Sequence, residues 1–265
     1  MTIGFIGLGN MGLAMLKGIR SKREDKLIYT VKSKESAQKL EEKLGFGPSS
    51  LEEIYQSDII FLAIKPKDYP FFLQELATLL TKNQIIVSMA PGLSLEKMQS
   101  YFTKKTKIVR SMPATPAQIG MSVSGLCFSQ ALEEEEKDLI REIFQSFGWC
   151  HDMDESLMEA FGSLCGVMPA FMMNLIEAMA DQAVAWGIPR NQAYILAGQI
   201  MKGSASLLLE TGLHPAELKD QVTSPGGTTI EGILALEHWG GARAIQKAMQ
   251  ASYAKGEAME KASRE

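Results

Sequence analysis

A chain of 265 residues, 46% apolar and 22% charged, has the composition of a soluble globular protein and length enough for two ordinary domains. Its net charge of −4 provides no concentrated basic field, which excludes nucleic acid and an anionic membrane as partners and makes any anion site a local one. Cys127, Cys150 and Cys165 form no Cys-x-x-Cys pair and a strand stands where a leader would, so a cytoplasmic, reducing location is expected.

Residues 2–6 are a short apolar run leading into Gly7-Leu8-Gly9-Asn10-Met11-Gly12 and then a helical stretch over 13–19. This is the strand, tight turn and helix start of a dinucleotide site. Gly7 permits the turn, Gly9 lets a pyrophosphate approach the backbone, and Gly12 lets helix and strand pack closely. The second strand, 27–31, ends at Lys32-Ser33-Lys34, about 20 residues past the fingerprint, where an acid would hold an unphosphorylated ribose. Two ammonium groups and a hydroxyl suit a 2′-phosphate instead, so NADPH is expected with NADH still usable, although Glu35 dilutes the charge.

Further strands are predicted at 58–64, 84–88, 107–110 and 121–128, alternating with amphipathic helices. Such alternation predicts a mostly parallel, doubly wound α/β sheet. Over 131–147 a helix carries Glu133 to Glu136 at its N-terminus, where the helix dipole favours acids; the run reads as capping. His151 lies near Asp152 and Asp154 without a second His or Cys at ligand spacing, so this stretch reads as a surface domain junction and no metal site is expected.

Strand signals end after Asp154, dividing the chain into a dinucleotide-binding domain at 1–153 and an all-helical domain at 154–265. A nearly continuous apolar helix spans 169–186 and another spans 191–211. A helix apolar on most sides needs burial on most sides, and so small a domain has little interior, so these helices are expected to pack against a second copy of the chain. Interruption by Asn174, Glu177 and Asp181 argues against a membrane span. His214 before Pro215 reads as a helix entry, and His238 as a helix end. Residues 222–230, Val-Thr-Ser-Pro-Gly-Gly-Thr-Thr-Ile, place two glycines and several hydroxyls before a helix. They read as a pocket for a small anion such as a carboxylate, or as a Pro-Gly turn with a Thr cap.

The chain resembles the pyrroline-5-carboxylate reductases over nearly its whole length. The resemblance rests on residues 5–11, Ala63-Ile64-Lys65-Pro66, Arg110-Ser111-Met112-Pro113, Thr115-Pro116-Ala117, and above all on His214-Pro215 through Ser224-Pro225-Gly226-Gly227-Thr228-Thr229-Ile230. It implies an N-terminal Rossmann domain and a helical domain that interlocks with its twin in a homodimer, with higher oligomers also open. The implied reaction is NADPH-dependent reduction of the cyclic imine 1-pyrroline-5-carboxylate to L-proline. Gly7, Gly9, Asn10 and Met11 would line the pyrophosphate, Lys32, Ser33 and Lys34 the adenosine end, and Ala63, Lys65 and Pro66 the nicotinamide. Ser224, Gly226, Gly227, Thr228 and Thr229 would hold the substrate, with the Thr229 hydroxyl as the catalytic group at the imine nitrogen.

Departures from the family pattern fall at Ala114, where Asn is usual, and at Val167 and Met168, which replace a hydroxyl and a glycine. They admit a paralogue acting on another cyclic imino acid, or a non-catalytic NADPH-binding regulator. A β-hydroxyacid dehydrogenase shares the opening glycines, but residues 155–171 contain no lysine to serve as its catalytic group.

Overall fold

The computed structural model describes residues 1–81 and 83–264. Contacts divide it into two compact units, Met1–Val167 with the stretch from Ser252 onward, and Met168–Ala251.

In the first unit, β1 (Thr2–Ile6), β2 (Lys26–Thr30), β3 (Ile59–Leu62), β4 (Ile85–Ser88), β5 (Lys107–Met112), β6 (Ser122–Phe128) and β7 (Gly148–Asp152) form one sheet, ordered β2-β1-β3-β4-β5-β6-β7. The first five run parallel, β6 is antiparallel to β5, and β7 is parallel to β6. Between them lie α1 (Asn10–Lys22), α2 (Lys34–Leu44), α3 (Leu51–Tyr55), α4 (Tyr69–Leu79), α5 (Leu95–Gln99) and α6 (Glu134–Gln145), followed by the short α7 (Met158–Phe161).

The central strands are apolar at every position because both faces are covered. Ile59 and Phe61 point into a core with Met15 and Ile19 of α1 and Phe144 of α6. Ile60 and Leu62, one residue out of phase, point into a second core with Ile54 of α3 and Leu73 and Leu76 of α4. The strand's two-residue period therefore assigns alternate side chains to opposite cores. Phe61 is fully buried and stacks on Phe5 with ring centroids 4.8 Å apart, so truncating it to Ala costs about 3–5 kcal/mol.

The acidic run before α6 acts as a cap. Glu133 is the N-cap, and its exchange of side-chain and main-chain bonds with Glu136 forms a capping box. The junction expected around His151 is instead β7: His151 pairs with Gly125 in the ladder, and its ring stacks on Trp149 at 5.4 Å. This strand escaped prediction because it lies at the sheet edge and is half-exposed, so the run Gly-Trp-Cys-His-Asp carries no continuous apolar signal.

The second unit contains α8 (Met168–Ala185), α9 (Arg190–Thr211), α10 (Pro215–Gln221) and α11 (Thr228–His238), and the beginning of α12 (Gly241–Arg264). His214 caps α10, its ring Nδ1 accepting the Ala216 N–H at 3.2 Å. Among the described residues only Ala180, Ala193 and Ala197 are buried apolar groups in this unit. Trp186 is 77% exposed and Leu209 82%. By length and composition the helical stretch Glu155–Ala185, mean hydropathy 1.4, is long and apolar enough to cross a membrane, and 11% of that apolar window is buried within the chain.

Candidate active site

The fingerprint glycines each meet a different constraint. Gly7 has φ +81°, and a Cβ there would lie 2.7 Å from the Ala63 carbonyl oxygen. A Cβ on Gly12 would lie 2.9 Å from that of Ala63, so this glycine lets α1 close on the β3 exit. A Cβ on Gly9, by contrast, would meet nothing within 4 Å. The open space at Gly9 lies at the N-cap of α1, whose first turn has no acidic residue. Unpaired N–H donors, a positive dipole end and room beside a glycine fit a pyrophosphate.

A cavity of about 1060 Å³ opens from this point along the C-terminal ends of the parallel strands. Its walls include Gly7, Gly9, Asn10 and Met11 from the first turn, Lys32 and Ser33 beyond β2, and Ala63 and Lys65 beyond β3. Of the cofactor residues expected from sequence, Lys34 and Pro66 are the two outside the lining. Lys34 begins α2, and Pro66 begins the 3₁₀ turn Pro66–Asp68 that follows Lys65. The Ser33 hydroxyl caps α2, accepting the Ser36 N–H at 3.1 Å. Glu35 is engaged with Lys39 at 2.6 Å, whereas Lys32 is exposed and has no ion-pair partner among the described residues.

Three further segments reach the cavity. The first pairs two strand exits: Met89 and Pro91 follow β4, Met112 ends β5 and Pro113 follows it. The loop after β5 is held by the buried Ser122 hydroxyl, which takes the Ala114 N–H at 3.1 Å and faces its carbonyl at 3.3 Å. A hydroxyl on β6 thus anchors the main chain at Ala114.

The second segment runs from Glu155 through α7 and the π-helical turn Gly162–Gly166, placing Glu159, Gly162, Ser163, Gly166 and Val167 on the wall. Arg110 of β5, 1% exposed, ties it down with bonds of 2.8 Å to each of Glu155 and Glu159. Glu155 also accepts the Leu95 N–H at 2.7 Å. Among the described residues the Arg110 Nε has no partner, so removing either carboxylate would leave a buried cation still further from satisfied.

The third segment is the end of α12, which contributes Ser252, Lys255, Gly256 and Met259. A Cβ on Gly256 would fall 2.6 Å from Glu159 Oε2, on a carboxylate already held by Arg110. The spacing of these four residues, i, i+3, i+4 and i+7, is one helix face and is visible in the sequence. The sequence reading missed it because the helix is mostly polar and carries no motif. Cys127, behind this wall, is pushed up to about 12 by burial, and Cys165 in the π turn is also raised by burial, so neither thiol is a nucleophile at neutral pH.

The expected substrate loop belongs to the second unit. Gly226 has φ +67°, and the Gly227 N–H closes the turn onto the Ser224 carbonyl at 3.0 Å. A Cβ on Gly227 would lie 2.4 Å from the Ser224 hydroxyl oxygen. Gly227 is the N-cap of α11, which puts Thr228 and Thr229 in its first turn, exposed. Thr229 is therefore not the cap that one reading of the sequence made it. Among the described residues neither threonine hydroxyl has a hydrogen-bond partner, and the first N–H groups of α11 point out of the helix end.

A family model described as Pyrroline-5-carboxylate reductase dimerisation matches residues 155–259, and one described as NADP oxidoreductase coenzyme F420-dependent matches residues 2–92. The chain is 37% identical to the pyrroline-5-carboxylate reductase of Escherichia coli over 265 residues, 98% of each protein. Its fold matches the Streptococcus pyogenes 1-pyrroline-5-carboxylate reductase with TM-score 0.88 and 32% identity, covering 97% of this chain and 98% of that one. It matches the Plasmodium falciparum pyrroline carboxylate reductase, a structure with NADP bound, with TM-score 0.89 and 29% identity over 98% of both chains.

Proposed function

The chain belongs to the pyrroline-5-carboxylate reductase family, and from that premise we propose how its residues divide the work of reducing 1-pyrroline-5-carboxylate to L-proline with NADPH. The observation that carries the reading is the cavity of about 1060 Å³ at the strand ends, with open space at Gly9 and an exposed cation at Lys32. When bound, the reduced nicotinamide supplies a hydride to the imine carbon. One C–H and one N–H bond form, the C=N bond becomes single, and the nitrogen's proton comes from the protonated imine or through a hydroxyl.

Gly7, Gly9, Asn10 and Met11 hold the pyrophosphate at the start of α1. Lys32 and Ser33 meet the 2′-phosphate, which favours NADPH while leaving NADH usable, and Lys34, outside the lining at the start of α2, adds only to the surrounding positive field. Ala63 and Lys65 border the nicotinamide, with Pro66 fixing the turn behind them. Ser224, Gly226, Gly227 and Thr228 grip the substrate carboxylate, and the Thr229 hydroxyl orients or supplies the proton at nitrogen. The absence of a cap bond at Thr229 among the described residues supports this role, because the hydroxyl is available. We infer a homodimer built on Met168–Ala251, with higher assemblies built from it; the exposed apolar helices of that unit and the dimerisation match support this assembly rather than insertion into lipid. Three free thiols support work in a reducing cytoplasm.

The test is NADPH oxidation with pyrroline-5-carboxylate, pyrroline-2-carboxylate and piperideine-2-carboxylate in parallel. Pyrroline-5-carboxylate is expected to give the highest kcat/KM, and Thr229→Val to lower kcat about 10²-fold, the scale of one positioned proton donor. Turnover of another imine in preference, or an unchanged rate in the variant, overturns the substrate or the role of Thr229 respectively.

A further inference from the structure

Tyr69, the first residue of α4, is 2% exposed, yet its hydroxyl serves three main-chain and side-chain groups at the strand exits. It donates to the Leu62 carbonyl at the end of β3, at 2.5 Å. It accepts the Met89 N–H just beyond β4 at 3.2 Å, and faces the Ser88 hydroxyl at 3.3 Å. Ser88 in turn accepts the Ala90 N–H at 3.2 Å, and its carbonyl takes the Ser111 hydroxyl of β5 at 2.9 Å. Ser88 and Ser111 are themselves buried, at 0% and 2% exposure.

The network therefore links the ends of β3, β4 and β5 at Leu62, Ser88 and Ser111, each one residue before Ala63, Met89 and Met112 enter the cavity wall. A strand end held only by its ladder frays; one held also by a buried hydroxyl does not. Burial holds the phenol neutral, its pKa pushed up to about 12, so it remains a donor to Leu62 throughout the physiological range. Helix packing alone needs only a ring at this position, and phenylalanine would supply that. The hydroxyl does something a ring cannot.

Resting on the reading of the cavity as the nicotinamide site, we propose that Tyr69 is a positioning residue for hydride transfer, fixing through Leu62 and Met89 the two loops against which the nicotinamide ring seats. Hydride transfer depends steeply on the separation and angle of the reacting carbons, so a loosened floor lowers kcat more than it weakens cofactor capture. The adenosine end, held more than one strand away by the β2 loop, is unaffected.

The experiment compares the full-length wild type with Tyr69→Phe and Ser88→Ala. Five quantities are read: kcat and KM for pyrroline-5-carboxylate with NADPH, the primary isotope effect with 4-deuterated NADPH, affinity for 2′,5′-ADP, and Tm. Tyr69→Phe is expected to lose about tenfold in kcat with a smaller change in KM, the pattern of a lost transition-state alignment. Its isotope effect rises, its 2′,5′-ADP affinity stays unchanged, and Ser88→Ala shows the same pattern more weakly. A wild-type kcat and isotope effect in Tyr69→Phe overturn the proposal, as does a parallel loss of 2′,5′-ADP binding and Tm, which marks general loosening. If the wild type itself does not turn over pyrroline-5-carboxylate, the proposed reaction fails, and Tyr69 is judged on the fluorescence of bound NADPH. An emission altered in Tyr69→Phe then upholds the positioning role, and an identical one overturns it.

Discussion

The two units of this chain solve the problem of burial in opposite ways. The first hides phenylalanines, isoleucines and leucines in two cores, one on each face of a sheet, and owes nothing to a partner for them. The second buries only three alanines among its described apolar residues and leaves Trp186, Ile195, Leu209 and Trp239 in solvent at 64–83% exposure. Apolar area on this scale is not stable in water, so this unit needs cover from a further copy of the chain. The difference teaches that a self-contained core and a face left for a partner write different patterns into the sequence.

The most severe test of that division is to charge the exposed face. Leu196→Asp combined with Ile200→Asp, two residues one helical turn apart on α9 and 55% and 58% exposed, is expected to yield a monomer by light scattering. Activity should fall more than about 100-fold while NADPH affinity stays within about threefold of wild type, because a buried interfacial charge costs several kcal/mol and the cofactor cavity lies elsewhere. A dimer that persists with full activity would show that this face is not where copies meet.

Within the first unit, neighbouring glycines provide a finer contrast. Gly9→Val has room in the chain, so its Tm should stay near wild type while NADPH affinity drops about 30-fold or more, a loss of roughly 2 kcal/mol. Gly12→Val meets Ala63 and should cost about 1–3 kcal/mol of stability, with Tm falling by several degrees. Thermal melts with and without NADPH separate the two, and equal melting points would mean that Gly12 is not a packing residue.

The smallest expected effect distinguishes two lysines. Lys32→Ala should reduce the preference for NADPH over NADH about tenfold, one unpaired charge-assisted contact, whereas Lys34→Ala should change it less than about twofold. Ratios of kcat/KM for the two cofactors decide, and a larger effect at Lys34 would move the 2′-phosphate to the other side of Ser33.

What was legible in the sequence follows the same line. The parallel strands and the fingerprint could be read because two-sided burial writes continuous apolar runs and a cofactor backbone demands glycine at fixed spacing. β7 could not, since an edge strand faces solvent and spells Gly-Trp-Cys-His-Asp. The 222–230 loop was legible as a helix entry, but the reading of a threonine as its cap gives way to Gly227, which holds that place. Arg110 was quoted only as part of a motif; that it would be buried with Glu155 and Glu159, some 45 and 49 positions later, is a fact of topology that no local pattern carries.

That topology rests on a single reversal. Because β6 runs against β5 and β7 follows β6, β7 points away from the cofactor cavity, yet it stops early: Asp152 pairs with Leu126, which is itself level with Ser111, so the chain leaves the sheet one residue from the level of Met112. From there it delivers Gly162 to Met112 and Val167 to the wall. The run between is helical and bolted to the sheet by one buried guanidinium, and it is this early stop that gives the dinucleotide cleft a further fixed side.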